Sequence, residues 1–338
     1  MTPRFRPLPQ SGRARPQGAL PLAGGPLWFT HAERLSRAEP ARIVSADRIP
    51  APVLARLTAP RAALLGLELD RPRLMGILNV TPDSFSDGGR FAALEQARAA
   101  GLAMQAAGAD LIDIGGESTR PGAAEVPEAE EIRRTAPVIA ALRAAGGALP
   151  ISIDTRKAAV AREALSAGAG MVNDVSGFTF DPALAPLCAA SGVPVCVMHA
   201  QGDPATMQDD PAYDDVVLDV YDFLETRIAA LEADGIARDR IVVDPGIGFG
   251  KTVAHNLALL RGLSLFHGLG CAVLLGASRK RFIGTIGQAP EARVRMPGTL
   301  AVTLAGLAQG VQIHRVHDVA EVAQGVRLWR AISEGYEQ

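Results

Sequence analysis

The chain has 338 residues, 48% of them apolar, enough to bury a large core in one big domain or two small ones. Its 34 basic and 36 acidic residues leave a net charge of −2, which gives no electrostatic ground for binding nucleic acid or an anionic membrane. Three cysteines, Cys188, Cys196 and Cys271, stand in apolar surroundings without metal-ligand spacing, as expected of reduced thiols in a cytoplasmic protein.

Residues 1–70 are rich in Pro, Gly and Arg and read as an N-terminal extension ahead of a domain over 71–338. Arg4, Arg6, Arg13 and Arg15 precede the first acid, Glu33, as in a transit peptide, but five prolines before residue 22 oppose the amphipathic helix such a peptide needs. The apolar stretch Ala19–Phe29 is broken by Pro21, Gly24, Gly25 and Pro26, so neither a secretory signal nor a membrane span is expected. Short strands at Ala19–Leu22 and Leu27–His31, about Ala23-Gly24-Gly25, predict a hairpin, with a helical segment at Ala51–Leu57. No chemistry is legible in this region, which reads as a cover.

From Arg73 the pattern turns regular. Apolar runs recur at Leu74–Leu78, Leu111–Ile114, Ile151–Ile153, Met171–Val172, Val193–Val197, Ile241–Val243, Ala272–Leu275 and Val311–Ile313, as strands buried on both faces require. Helical patterns separate them: Tyr221, Leu224, Ile228 and Leu231 are assigned to one face, and Val319, Val322, Ala323, Val326 and Ile332 to another. Gly108, Gly168 and Gly235 suit the position just past a helix end. Eight strand–helix units in about 265 residues predict an α/β fold, a (β/α)8 TIM barrel, over a doubly wound sheet.

The strand ends carry Asn79, Asp113, Asp154, Asn173, His199, Asp244, Ser278 and Arg315. A polar residue there can simply cap the next helix, but a full ring of them marks the rim where barrels build active sites. Asp154, Asn173 and Asp244, with Lys280, suit a flat heterocycle with an aminopyrimidine edge and a carbonyl, such as a pterin or guanine. Read blandly, Asp154 and Asp244 are caps or partners of nearby Arg and Lys. Arg120, Arg279, Lys280, Arg281, Arg315 and His317 form a basic set, with Arg315 and His317 placed after the last strand, where barrels hold phosphate. Gly246–Thr252 approximates a P-loop but has Pro245 where that motif needs glycine, and Lys251 spoils a dinucleotide fingerprint; its glycines read as a flexible loop beside a ligand.

These residues sit in segments that resemble the dihydropteroate synthase family. MGILNVTPDSFSDGG (Met75–Gly89) and DIGGESTRPGA (Asp113–Ala123) are similar to its two signatures. SIDTRK, VNDVSG, VMHAQGDPATMQ, DPGIGFGKT, ASRKRFIG and RVHDV continue the match in order to the end of the chain. Ala200 departs from it, standing where a methionine is often found. The resemblance implies condensation of 6-hydroxymethyl-7,8-dihydropterin pyrophosphate with 4-aminobenzoate. It implies that Asp154, Asn173, Asp244 and Lys280 hold the pterin, lined by Met198 and Phe249, and that Asn79, Arg315 and His317 take the pyrophosphate, Asn79 through Mg²⁺. Phe85, Thr119, Arg120, Pro121, Lys280 and Ser278 would frame the 4-aminobenzoate site, with mobile loops at Thr81–Phe91 and Ser118–Glu125. Asp154, Lys280, Arg315 and His317 are the implied catalytic set, and a homodimer is the implied assembly. A pterin-dependent methyltransferase or a non-catalytic pterin-binding homologue would share the pterin set but would not need Asn79, Arg120, Arg315 and His317 or the two loop signatures.

Overall fold

A computed structural model describes residues 2–81, 89–118, 124–202 and 207–335, with side chains described from residue 92 onward in the second segment. Eight parallel strands close a barrel: β6 (Arg73–Asn79), β7 (Leu111–Gly115), β8 (Ile151–Asp154), β9 (Met171–Asp174), β10 (Val195–Met198), β11 (Ile241–Asp244), β12 (Ala272–Leu275) and β13 (Ile313–Val316), with β13 pairing back to β6. The helices are α2 (Gly89–Ala107), α3 (Glu128–Ala144), α4 (Ala158–Ser166), α5 (Leu184–Ser191), α6 (Val216–Ala233), α7 (Val253–Arg261), α8 (Arg281–Ile286), α9 (Met296–Leu307) and α10 (Val319–Glu334).

Strand alternation explains why the runs read as continuous. Ile112, Ile114, Val172, Ile241 and Val243 turn outward into the layer of helices, while Leu111, Met171, Cys196, Val242 and Ile313 turn inward, so both faces are apolar. Local chemistry ends the helices as expected: Gly108, Gly168 and Gly235 take φ of 102°, 114° and 99°, a region that costs other residues steric strain. Asp215 caps α6 by accepting from the Val217 and Leu218 amides.

Two expectations need correction. The last strand is Ile313–Val316, two residues later than its apolar run, because Arg315 pairs in register with Met75 and turns into the barrel, where carboxylates receive it. Ile332 is 76% exposed, whereas Val319, Val322, Ala323 and Val326 are buried. At ~100° per residue Ile332 is turned ~220° from Val319, off the packed face.

The extension holds more structure than its sequence shows. The hairpin is present as β2 (Leu20–Pro21) and β3 (Trp28–Phe29), and α1 spans Ala51–Thr58. Strands β1 (Arg4–Pro7), β4 (His31–Leu35) and β5 (Arg42–Ser45) add an antiparallel sheet that patterning missed. Phe5, Leu22, Leu27, Phe29, Ile49 and Leu57 form its core, with Trp329 of α10 against it. Arg4 pairs with Asp222 and Glu225, and Arg37 with Asp219 and Asp222, all on α6. Exposed pairs contribute at most ~1 kcal/mol each, against ~1.5–3 kcal/mol for each buried large side chain, so apolar packing dominates this attachment. Buried Arg61 donates to the Arg56 and Ala59 carbonyls at the end of α1 and to His267 O, tying the extension to the turn before β12. Leu64 and Leu69 then plug the N-terminal mouth of the barrel against Met75, Leu111, Met171 and Ile313.

Candidate active site

Inside the barrel, two residues above the apolar layer, the inward positions become polar. Leu111 is followed on its face by Asp113, Met171 by Asn173, Val242 by Asp244 and Ile313 by Arg315. A period of two thus places charges and an amide around one axis at the C-terminal rim.

Asp113 is the hub, fully buried, and the sequence reading gave it a place but no role. Its Oδ2 accepts from Asn173 Nδ2 at 3.0 Å and from Arg315 Nε at 2.6 Å. Arg315 Nη2 donates to Asp154 Oδ2 at 2.7 Å. Burial alone would lower the Arg315 pKa, but Asp113 and Asp154 outweigh it and raise it above the ordinary value, so the guanidinium stays charged. Burial pushes Asp154 up to about 7, against the pull of Arg315 and with repulsion from Asp113. Asp244 rises to about 6 by burial, opposed by the Gly246 N–H, Lys280 and Arg315. The rim is therefore poised to change protonation near neutrality.

The expectation that Asp154 faces a ligand and Arg315 a phosphate meets a tighter arrangement. They bind each other, one of the ion pairs the bland reading allowed, because two carboxylates buried this deeply need a cation. Arg315 Nη1 makes no hydrogen bond among the described residues, which leaves one donor edge for a ligand.

The turn after β12 places the remaining donors. Arg279 adopts φ 57°, a strained value for a residue with a Cβ. Three contacts hold it there: its N–H donates to Thr299 Oγ1, its carbonyl accepts from Arg295 Nη1, and its guanidinium pairs with Asp318. Arg279 is thus neutralised and drops out of the basic set, and exposed Arg281 opens α8. Lys280 Nζ lies 3.9 Å from the centre of the Phe249 ring. Ser278 Oγ accepts the His317 backbone N–H at 3.1 Å and lies 2.9 Å from His317 Nδ1. If the hydroxyl proton goes to Nδ1, the ring carries its hydrogen on Nε2 as a neutral donor. Burial and then Arg315 push His317 down to about 3, which keeps its ring neutral.

Phe249 is positioned by the glycine loop. Gly246 has φ 70°, and a Cβ there would come within 1.8 Å of His199 O, so only glycine fits. Gly248 N donates to Asn256 Oδ1, Gln208 Nε2 donates to Gly248 O and Tyr213 donates to Gly250 O. The glycines serve this bonded conformation. Lys251, missed by sequence reasoning, is buried and donates to Phe249 O at 2.9 Å, with His199 Nδ1 also at 2.9 Å. Burial lowers Lys251 to about 7, against the attraction of Asp244.

Met198 is buried at the end of β10, in register with Asp244. Asn79 is half-buried at the end of β6. Phe85, Thr119, Arg120 and Pro121 lie outside the described residues.

The family model for pterin binding enzymes matches residues 75–317, the whole stretch that supplies this rim. The dihydropteroate synthase of Escherichia coli (strain K12) is 45% identical over 265 residues, covering 78% of this chain and 93% of that one. This chain belongs to the dihydropteroate synthase family of pterin-binding enzymes. Its activity is that of a dihydropteroate synthase, a transferase. Among solved structures, the Xanthomonas albilineans dihydropteroate synthase with 4-aminobenzoic acid is 48% identical, with TM-score 0.76, over 81% of this chain and 98% of that one. The same enzyme in complex with 7,8-dihydropteroate is 46% identical with TM-score 0.72, over 79% and 95%. As in other family members, small molecules are the substrates. No helix among the described residues is long and apolar enough to cross a membrane.

Proposed function

We propose that the chain condenses 6-hydroxymethyl-7,8-dihydropterin pyrophosphate with 4-aminobenzoate, with Asp154, Asn173, Asp244 and Lys280 on the pterin and Arg315, His317 and Asn79 on the pyrophosphate. The observation that carries this reading is the buried Asp113–Arg315–Asp154 chain beside Asp244, Lys280 and Phe249. Its carboxylates would suit a cationic pterin, and its guanidinium a departing anion. The C–O bond to pyrophosphate breaks, charge delocalises into the pterin ring, and the arylamine nitrogen attacks and loses a proton. Such a displacement asks for fixed charge rather than covalent catalysis. Pterin binding would compete for Asp154, turning Arg315 toward the leaving group.

No cluster of three His, Cys, Asp or Glu suited to a metal occurs among the described residues. Mg²⁺ commonly takes one or two protein oxygens and fills its shell with phosphate and water, so the half-buried Asn79 amide fits as its protein ligand beside the pyrophosphate. Mg²⁺ held there would supply neutralisation of the leaving charge. Ser278, with Phe85, Thr119, Arg120 and Pro121, is assigned to the 4-aminobenzoate side on the strength of the resemblance.

Residues 1–70 are read as a structural cover on the barrel domain 71–338, a cytoplasmic location as suiting three free cysteines. Homodimer formation is supported by exposed Leu328 and Ile332, four apart on α10.

The test is product formation from the pterin pyrophosphate and radiolabelled 4-aminobenzoate, with and without Mg²⁺. Metal-dependent dihydropteroate and pyrophosphate are expected. Pterin binding without product would instead identify a binding homologue.

A further inference from the structure

The chemistry above leaves one deeply buried lysine unused. Lys251 is 3% exposed, and its Nζ lies 2.9 Å from His199 Nδ1. The same nitrogen donates to Phe249 O at 2.9 Å and to His199 O at 3.3 Å. All three acceptors are neutral, since burial and then Lys251 itself push His199 down to about 2. They match the three N–H groups of an ammonium, so Lys251 has none to offer a ligand. An ammonium buried against neutral acceptors is a poor source of stability. Stability alone therefore does not account for it.

Lys251 joins two stretches of chain that the barrel brings side by side. His199 directly follows Met198, and its ring is fixed edge-on against Phe223 at 4.8 Å and tilted against Tyr213 at 5.9 Å. Phe249 stands between Gly248 and Gly250, whose φ values of 83° and 59° suit glycine but give the loop little stiffness of its own. Asn256 and Gln208 hold Gly248, Tyr213 holds Gly250, and Lys251 holds the Phe249 carbonyl between them. Met198 lies against the same loop, its Cγ 3.3 Å from where a Cβ on Gly246 would stand. One ammonium thus fixes the Phe249 peptide relative to the end of β10, and the Phe249 ring is the one that meets Lys280.

We propose that Lys251 is a positioning residue that sets pterin affinity by tying the Phe249 peptide to His199, next to Met198. The inference rests on the assignment of Met198, Phe249 and Lys280 to the pterin. Holding such side chains in place beforehand removes conformations they would otherwise lose on binding. Lys251→Met deletes the tie at similar side-chain length. His199→Phe removes the Nδ1 acceptor while keeping a ring against Tyr213 and Phe223. In full-length protein, the Kd of 6-hydroxymethylpterin by calorimetry is expected to rise about tenfold in Lys251→Met and about threefold in His199→Phe. The KM for 4-aminobenzoate at saturating pterin pyrophosphate should stay within about twofold in both. In a Phe249→Ala background, where pterin binding is already weakened, Lys251→Met should add less than about twofold.

A merely structural lysine would lower the unfolding midpoint and leave pterin affinity alone, or would weaken both substrates together. Either result overturns the proposal, as does a full tenfold loss added to that of Phe249→Ala. If Lys251→Met does not fold, His199→Phe decides, and an unchanged pterin Kd there overturns the tie. A different failure would be wild type that does not bind 6-hydroxymethylpterin, or Phe249→Ala that binds it as wild type does. That result would sink the pterin assignment itself, and the inference with it.

Discussion

The two ends of the barrel interior are built from the same inward-facing strand positions and do opposite things. At the N-terminal end Leu64 and Leu69 seal a layer of Met75, Leu111, Met171, Val242 and Ile313, where apolar packing dominates. Two residues along the same strands, Asp113, Asp154, Asn173, Asp244 and Arg315 lie together, largely buried. Charges cost several kcal/mol each to bury, and their mutual attraction only partly offsets this. The base carries the stability, and the rim spends some of it holding charge ready for a ligand.

Substitutions at each end sharpen or break this contrast. The largest effect is expected for Arg315→Met, which strands Asp113 and Asp154 without their cation. About 3–5 kcal/mol of stability and at least ~100-fold in turnover should be lost, read by denaturant unfolding and steady-state kinetics. An unchanged midpoint would show that the rim charges are not coupled.

Asp154→Asn should separate the two properties, with turnover falling about 100-fold while the fold is retained. The folded pKa of Asp154, about 7, lies above an unfolded value near 4. The folded state thus binds the proton more tightly, and its stabilising effect, complete below pH ~4, is lost as pH rises through ~7. Stability measured across that window should decline more steeply in the wild type than in Asp154→Asn. Parallel curves would mean that Asp154 is ionised throughout.

At the base the pattern inverts. Leu64→Ala should cost about 2–5 kcal/mol through its cavity and leave both KM values and kcat within about twofold. A large kinetic change would show that the plug is coupled to the rim. The smallest effect belongs to Arg4→Ala on the extension, within about 1 kcal/mol by thermal unfolding, because its pairs with α6 are partly solvated.

Much of the rim was legible in the residues. Asn79, Asp154, Asn173, Asp244, Ser278 and Arg315 read as strand ends because each follows or closes an apolar run, and the barrel brings those ends to one place. Asp113 read as a member of that ring, yet its role as hub was invisible, since it depends on Arg315 reaching across from β13. Lys157 and Lys251 lie within the segments SIDTRK and DPGIGFGKT, but nothing local marked either as buried. A lysine in a polar loop looks solvated until the fold buries it against His199 or Glu117. The sheet β1-β4-β5 escaped notice because its strands are short, arginine-rich and half-exposed.

By itself, then, the sequence determined the barrel and its polar rim, because runs buried on both faces and the polar residues that end them are local patterns, and eight such units favour a closed barrel over a doubly wound sheet. Tertiary structure decided who pairs with whom: Arg315 with Asp113 and Asp154, Arg279 with Asp318, Lys157 with Glu117, Glu131 and Val126. Those pairings join residues as far as 202 positions apart. They depend on distance and desolvation in the folded molecule, which no local pattern encodes.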